Sequence, residues 1–188
     1  MGQVEATTER NIAAGAEDVF DALADYSGTR AKLLPEHFSE YEVREGGDGE
    51  GTLVRWKLQA TSKRVRDCLL EVSEPSTGQL VEKDRNSTMV TTWTVTPPCG
   101  EGSSKVVVHT TWTGASGIGG FFERTFAPKG LGRIYDAVLD RLAAEVEGKP
   151  GAEPITGQVT GSSGFPGGGP VSGNRLRPAE SPSFDAPR

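Results

Sequence analysis

The sequence is poor in the residues from which reactive or cross-linked sites are built. Its 188 residues include two cysteines, Cys68 and Cys99, and two histidines, His37 and His109. Two cysteines cannot form a disulfide framework, so a reducing compartment is expected. No group of histidine, cysteine and acidic residues has the spacing of a metal site. We therefore expect no bound metal and no cofactor.

Long apolar runs and an excess of positive charge are also lacking. No stretch approaches the roughly 18 apolar residues of a membrane span, and the N-terminus lacks the basic and apolar segments of a secretory signal. The formal net charge is −6, which favours neither nucleic acid nor an anionic membrane surface as a partner. These absences predict a cytoplasmic protein with no nucleic-acid partner and no integral membrane association.

Glycine and proline are abundant instead, and they are unevenly distributed. Nine of the 25 glycines and seven of the 12 prolines fall within residues 148–188. The apolar residues of this stretch are isolated and cannot bury enough surface to offset the entropy lost on ordering. We therefore predict one folded domain at 1–147, long enough to bury a core, and a Gly/Pro/Ser-rich disordered tail at 148–188.

The periodicity within 1–147 predicts one strand, two short helices, six strands and one long helix. A weak alternation favours a strand over 3–12, and apolar residues at helical spacing favour helices over 16–26 and 29–34, the second ended by Pro35. Runs with the alternation of an antiparallel meander follow, at 38–45, 51–60, 63–73, 79–85, 88–96 and 105–113. The last segment, about 117–147, is predicted to be helical with a kink or break at 127–130.

A sheet that is apolar on one face needs an element to cover it, and only the C-terminal helix is long enough. A gap between such a sheet and a helix is a ready pocket for a ligand. Three local segments accompany this order of elements: AEDVF at 16–20 with LADY at 23–26, MVTTWTVTP at 89–97, and GIGGFFERTFAP at 117–128.

In these segments and in element order, residues 3–147 resemble the START-like (SRPBCC) superfamily, in its bacterial polyketide cyclase/dehydrase and lipid-transport branch. The resemblance implies an α+β helix-grip fold. In that fold a seven-stranded antiparallel sheet wraps around a long C-terminal helix, and two short helices follow the first strand. Because the branch is defined by a scaffold, the resemblance indicates a fold more than a reaction.

The three tryptophans fall in three different predicted strands, and their parity with apolar neighbours places them on the inner face of the sheet. There they act either as core filler or, with residues of the last helix, as the lining of a cavity for a flat apolar ligand. The predicted ligand-binding residues are Trp56, Leu70, Trp93, Trp112, Phe122, Phe126, Tyr135 and Val138.

Charged residues alternate with apolar ones in two strands. Arg55 and Lys57 flank Trp56, and Glu82 and Asp84 alternate with Val81 and Lys83. We expect most of these on the outer, solvated face; one that faced inward would be an acid/base candidate. The pattern does not choose among them, so the catalytic residues stay unknown.

The histidines and cysteines carry weaker signals. His109 is expected to face outward if Trp112 faces inward, because neighbouring strand residues alternate. His37 follows a helix near the predicted pocket mouth, where an exposed loop residue is expected rather than a catalytic base. Cys68 and Cys99 are expected to be inert thiols.

Three functions remain open from the sequence. The first is a binding protein that holds a lipid or an aromatic, polyketide-like molecule between the sheet and the last helix, as a monomer or homodimer. The second, implied by the resemblance, is a polyketide cyclase or aromatase. The third is a protein-interaction module similar to chaperone co-activators of the same fold, which would use its surface or tail.

Overall fold

The computed structural model describes residues 2–61, 64–97, 102–113 and 118–147. Within these ranges the side chains of residues 60, 61, 64 and 118–127 are not described. Cys99 and the predicted tail at 148–188 therefore lie outside the described residues, as do the side chains of Phe122 and Phe126.

The order of elements is the one predicted. It runs β1 (Gln3–Ile12), α1 (Ala16–Ala24), α2 (Thr29–Leu33), β2 (Phe38–Glu45), β3 (Leu53–Thr61), β4 (Arg64–Ser76), β5 (Gln79–Asp84), β6 (Val90–Thr96), β7 (Ser104–Thr113) and α3 (Ile118–Glu147). The strands form one antiparallel sheet in the order β1-β7-β6-β5-β4-β3-β2. The two short helices connect β1 to β2, which are the opposite edges of the sheet. This is the helix-grip fold.

Side chains alternate between the two faces of the sheet, and the inner face packs under α3. In β7 every second residue from Ser104 to Trp112 is buried, and in β6 Thr91, Trp93 and Val95 are buried. Trp56 in β3 is buried as well. The three tryptophans therefore share the buried face, as their parity predicted.

The long helix covers this face with the residues that its periodicity indicated. All six predicted to share one side of the helix are buried: Leu131, Ile134, Tyr135, Val138, Leu142 and Val146. Of the predicted kink or break at 127–130, the break is wrong, because α3 is one helix with Pro128 inside it. A proline within a helix removes one backbone hydrogen bond, and the packing of the following four turns against the sheet outweighs that loss. None of the described helices is long and apolar enough to cross a membrane.

The connection left between the predicted strands at 63–73 and 79–85 is shorter than expected. Strand β4 continues to Ser76, and its pairing with β5 is irregular between Ser73 and Ser76. Pro75 lies within this irregular stretch, where a strand tolerates a residue that cannot donate a backbone hydrogen bond. Only Thr77 and Gly78 remain as the turn.

Gly78 is required where it stands. Its φ is +72°, and a Cβ built there would lie 2.5 Å from the carbonyl oxygen of Val95. The neighbouring strand approaches this closely because the Val95 N–H donates to the Gly78 carbonyl at 2.7 Å. Gly51 has a similar φ of +83°, but a Cβ there would meet nothing within 4 Å.

These two glycines predict different costs for the same substitution. Gly51→Ala should lower the free energy of unfolding by about 1 kcal/mol, the penalty of a left-handed backbone for an L residue. Gly78→Ala should lower it by at least twice as much, because the new methyl group also displaces the Val95 carbonyl. Urea unfolding of both variants measures the difference, and equal losses would show that the close approach at Gly78 is unimportant.

Candidate ligand-binding cavity

A short capped helix places one arginine inside the domain. The carboxylate of Asp25 accepts hydrogen bonds from the backbone N–H groups of Gly28 (2.9 Å) and Thr29 (2.7 Å). The Thr29 N–H lowers the pKa of Asp25, outweighing the opposite effect of burial. These bonds satisfy donors at the start of α2, and the single helical turn that follows directs Arg30 inward. Its side chain is 1 % exposed.

Arg30 forms a buried ion pair across the core. Its Nη2 donates to Oε1 of Glu82 on β5 at 2.6 Å, and the Glu82 side chain is 3 % exposed. The hydroxyl of Tyr26 donates to the same carboxylate oxygen at 2.7 Å. Buried charges require such pairing, because removing either ion from water alone is costly. We call Tyr26, Arg30 and Glu82 the buried polar cluster.

The electrostatics of the cluster hold it at zero net charge. Burial opposes the charged form of Arg30, but the Glu82 carboxylate and the nearby tyrosines outweigh it and raise the arginine's pKa. Burial and the Glu82 charge raise the pKa of Tyr26 well above its usual value, and burial likewise raises that of Tyr41. The ordinary pKa of a tyrosine already lies above physiological pH, so these hydroxyls are neutral and the charges of the cluster are those of the Arg30–Glu82 ion pair.

Aromatic rings and hydroxyls continue from the cluster towards α3. The Arg30 guanidinium lies 4.1 Å from the centre of the Trp93 ring, and Trp93 meets Tyr135 edge to face at 5.5 Å. The Tyr135 hydroxyl is 3.2 Å from the hydroxyl oxygens of both Thr91 and Thr110. Burial, followed by the charge of Glu82, raises the pKa of Tyr135 to about 12.

These groups border a small cavity between the sheet and α3. The described residues that line it belong to helices α2 and α3 and to strands β2–β6, or lie directly beside one of these elements. They are Arg30, Leu34, Phe38, Trp56, Leu58, Leu70, Glu82, Met89, Thr91, Trp93, Tyr135 and Val138. Ten of the twelve are buried, and Leu34 and Phe38 are partly exposed. The cavity volume is about 10 Å³, which is room for about one water molecule.

The structure brings five of the eight predicted ligand-binding residues together around the cavity: Trp56, Leu70, Trp93, Tyr135 and Val138. Trp112 is buried, at 5 % exposure, but it is not among the described residues that line the cavity. It lies on β7, beside β1, whereas the lining strand residues belong to β2–β6 or directly precede β6. Phe122 and Phe126 have no described side chain.

The expectation that most charged strand residues face solvent is wrong for β5. Glu82 is 2 % and Asp84 3 % exposed; Asp84 accepts hydrogen bonds from the Leu69 N–H (3.0 Å) and the Ser87 hydroxyl (2.5 Å). The expectation is right for Arg55 on β3. That residue forms a bidentate pair on the outer face with Asp67, at 2.9 and 2.7 Å.

The sequence of β5 leaves its inward face undecided. Leu80 lies on one side of QLVEKD and Val81 on the other, so each face has one large apolar residue. Arg30 carries no signal of its own, because a basic residue on a short helix is usually solvated. Only the assembled fold brings the two charges together.

The remaining polar candidates lie away from the cavity lining. His109 faces outward, as predicted, and its Nδ1 is 2.9 Å from the hydroxyl of Thr7. His37 is half-buried rather than exposed, and it is not among the described lining residues. Cys68 is fully buried, and burial raises the pKa of its thiol to about 12, which agrees with an inert core cysteine.

Comparison with known proteins identifies the family. The family model described as polyketide cyclase / dehydrase and lipid transport matches residues 3–147. The chain belongs to this family. Its helix-grip fold is that of the START-like superfamily, which the resemblance in three sequence segments had indicated. No curated protein is significantly similar to the chain.

Solved structures share the fold of this START-like protein. The KanY protein is 51 % identical, with a TM-score of 0.71, over 79 % of this chain and 100 % of that one. A START superfamily protein from Mycobacterium smegmatis is 14 % identical, with a TM-score of 0.57, over 78 % and 98 % of the two chains. The di-domain ARO/CYC BexL from the BE-7585A biosynthetic pathway is 21 % identical, with a TM-score of 0.61, over 79 % of this chain and 51 % of that one. The last two similarities concern the fold alone.

The buried ion pair predicts a distinctive pattern of stabilities. Glu82→Ala should lower the free energy of unfolding by about 3–5 kcal/mol, because it leaves the Arg30 charge buried and unpaired. The double variant Arg30→Met/Glu82→Leu should lose much less, since neither charge remains to be desolvated. Urea unfolding of the two variants and the wild type measures this. A loss below about 1 kcal/mol for Glu82→Ala would contradict the buried, charged state of the pair.

Proposed function

We propose that this protein binds a hydrophobic small molecule, a lipid or an aromatic, polyketide-like compound, between the sheet and α3. The observation that carries the proposal is a buried ion pair set among aromatic side chains beside a cavity. A buried ion pair contributes little to stability compared with apolar residues of similar volume. Its presence among Trp56, Trp93 and Tyr135 is better explained by a ligand with a polar group than by packing.

Binding requires the cavity to enlarge. Ligand pockets usually have volumes of about 300 Å³ or more, far above the 10 Å³ between the described side chains. Leu34 and Phe38 are the lining residues that solvent reaches, so their rotation opens the cavity with the least loss of core packing. Burial of the apolar surface of the ligand, at about 25 cal/mol per Å², then supplies the driving force.

If an apolar ligand binds in this cavity, a larger side chain should weaken binding only where it points into the cavity. Val138 lines the cavity, whereas Val146 is buried further along α3 at 3 % exposure and is not among the described lining residues. Val138→Phe should weaken binding of naphthalene at least tenfold by occupying the cavity. Val146→Phe, which overpacks the same helix by the same groups, should leave binding within about twofold.

The measurement is an NMR titration that follows the indole N–H signals of the three tryptophans. Naphthalene should shift the signals of Trp56 and Trp93 more than that of Trp112, which lies off the cavity. Absence of saturable shifts in the wild-type protein, or equal weakening by the two phenylalanine variants, would refute the proposed binding site.

Glu82 favours one alternative, an enzyme of the cyclase or aromatase type. The carboxylate lines the cavity and accepts hydrogen bonds from Tyr26 and Arg30, so it is the ionisable group an enclosed reaction would need for moving a proton. Closure of an aromatic ring by dehydration releases one water from the substrate.

A comparison of bound ligands separates the two functions. Wild-type protein and Glu82→Gln are each purified from the native host and analysed by native mass spectrometry. If the protein dehydrates its ligand, the Glu82→Gln variant should retain a molecule heavier by one water. The same molecule on both proteins would indicate binding without this chemistry, provided that the variant gives a folded NMR spectrum.

A further inference from the structure

The buried polar atoms of the cavity that have no hydrogen-bond partner among the described residues are all donors. Among the residues that line the cavity, these atoms are Nε and Nη1 of Arg30 and the indole Nε1 atoms of Trp56 and Trp93. A guanidinium has five N–H bonds, and only Nη2 of Arg30 is bonded to Glu82. Nε and Nη1 carry three of the five, and the two indoles add one each. The cavity lining therefore has five N–H bonds without an acceptor among the described residues.

Such a surplus has a direct chemical complement. A buried N–H without an acceptor lowers the stability of the folded protein, because it has lost its hydrogen bond to water. A hydrogen bond that involves a charged group is about twice as strong as a neutral one. An oxygen with free lone pairs, brought in by a ligand, would remove the penalty. A ligand made only of hydrocarbon would leave it in place.

The charge balance restricts which oxygen is acceptable. Arg30 is already paired with Glu82 at 2.6 Å. Tyr26, Tyr41 and Tyr135 are uncharged, because the ordinary pKa of a tyrosine is near 10 and burial raises it further at all three. A ligand carboxylate would add an uncompensated negative charge to a buried site beside the Glu82 carboxylate. Charge burial of this kind is costly, whereas a carbonyl oxygen brings only a dipole.

Arg30 is also held so that it can act without rearrangement. The Trp93 ring lies 4.1 Å from its guanidinium carbon on one face, the Tyr26 ring lies at 5.6 Å, and Glu82 holds Nη2. Donors fixed in this way lose little entropy when an acceptor arrives. The same restraint prevents the side chain from swinging out to water.

We propose that Arg30, assisted by the indole N–H groups of Trp93 and Trp56, determines ligand specificity in this cavity. It selects uncharged molecules that carry an acceptor oxygen, such as an aromatic ketone, and it discriminates against carboxylates of the same shape. This inference rests on the proposed binding function and adds the chemical class of the ligand.

The test compares three probes with one ring system: 2-isopropenylnaphthalene, its ketone isostere 2-acetylnaphthalene, and ionised 2-naphthoate at pH 8. The dissociation constants come from the same indole N–H titration. In the wild-type protein the ketone should bind about tenfold tighter than the hydrocarbon, the ratio expected for one charge-assisted hydrogen bond. It should also bind at least tenfold tighter than the carboxylate.

The double variant Arg30→Met/Glu82→Leu is the matched control, since it removes both charges and keeps the volume apolar. The readout is the ratio of the two affinities within this variant, and the ketone preference should fall to within about twofold. If this variant does not fold, Arg30→Lys, which keeps the charge but lacks the Nε and Nη donors, should reduce the preference in the same direction.

The possible outcomes separate the two proposals. Equal wild-type affinity for ketone and hydrocarbon overturns the role of Arg30 while leaving apolar binding intact. Tightest binding of 2-naphthoate overturns the charge argument and assigns an anionic ligand. A ketone preference that persists in a folded double variant places recognition at other residues. If no probe saturates, both the binding function and the inference are wrong.

Discussion

The buried ion pair between Arg30 and Glu82 is the interaction on which the polar part of this core depends. It joins α2 to the middle of the sheet at 2.6 Å, and neither charge could remain in the core without the other. The pair therefore fixes where the helical connection between β1 and β2 sits against the sheet. It also sets the polar end of the cavity and its zero net charge.

The described residues around this pair are closely packed. Buried apolar residues of α3, from Leu131 to Val146, cover the inner face of the sheet, and the cavity beside the ion pair has a volume of about 10 Å³. Protein interiors are generally close-packed. The unpartnered donors beside this cavity therefore say more about the chemistry of a ligand than the volume of the cavity does. An Arg141 Nη1 to Leu34 carbonyl hydrogen bond ties α3 to the segment after α2, beside the partly exposed side of the cavity.

Residue patterns were sufficient for most of the fold. The alternation of β6 and β7, the helical spacing in α3, and the stop at Pro35 each reflect a local period or a backbone restriction that the chain carries in one segment. Two local predictions were wrong: a break in the helix at 127–130 and the end of the fourth strand at residue 73. The helix continues through Pro128, and β4 continues past Pro75 because an irregularity in strand pairing accommodates it.

The sequence by itself determined the element order, the inward tryptophans Trp56 and Trp93, and the family. These follow from periodicity and from conspicuous local segments. Only the tertiary structure decided that Glu82 faces inward and meets Arg30, 52 positions away. The physical reason is that the cost of burying a charge depends on its partner, and neither a helix turn nor a strand alternation identifies a partner on another element. The polar part of the candidate site is therefore a property of the fold.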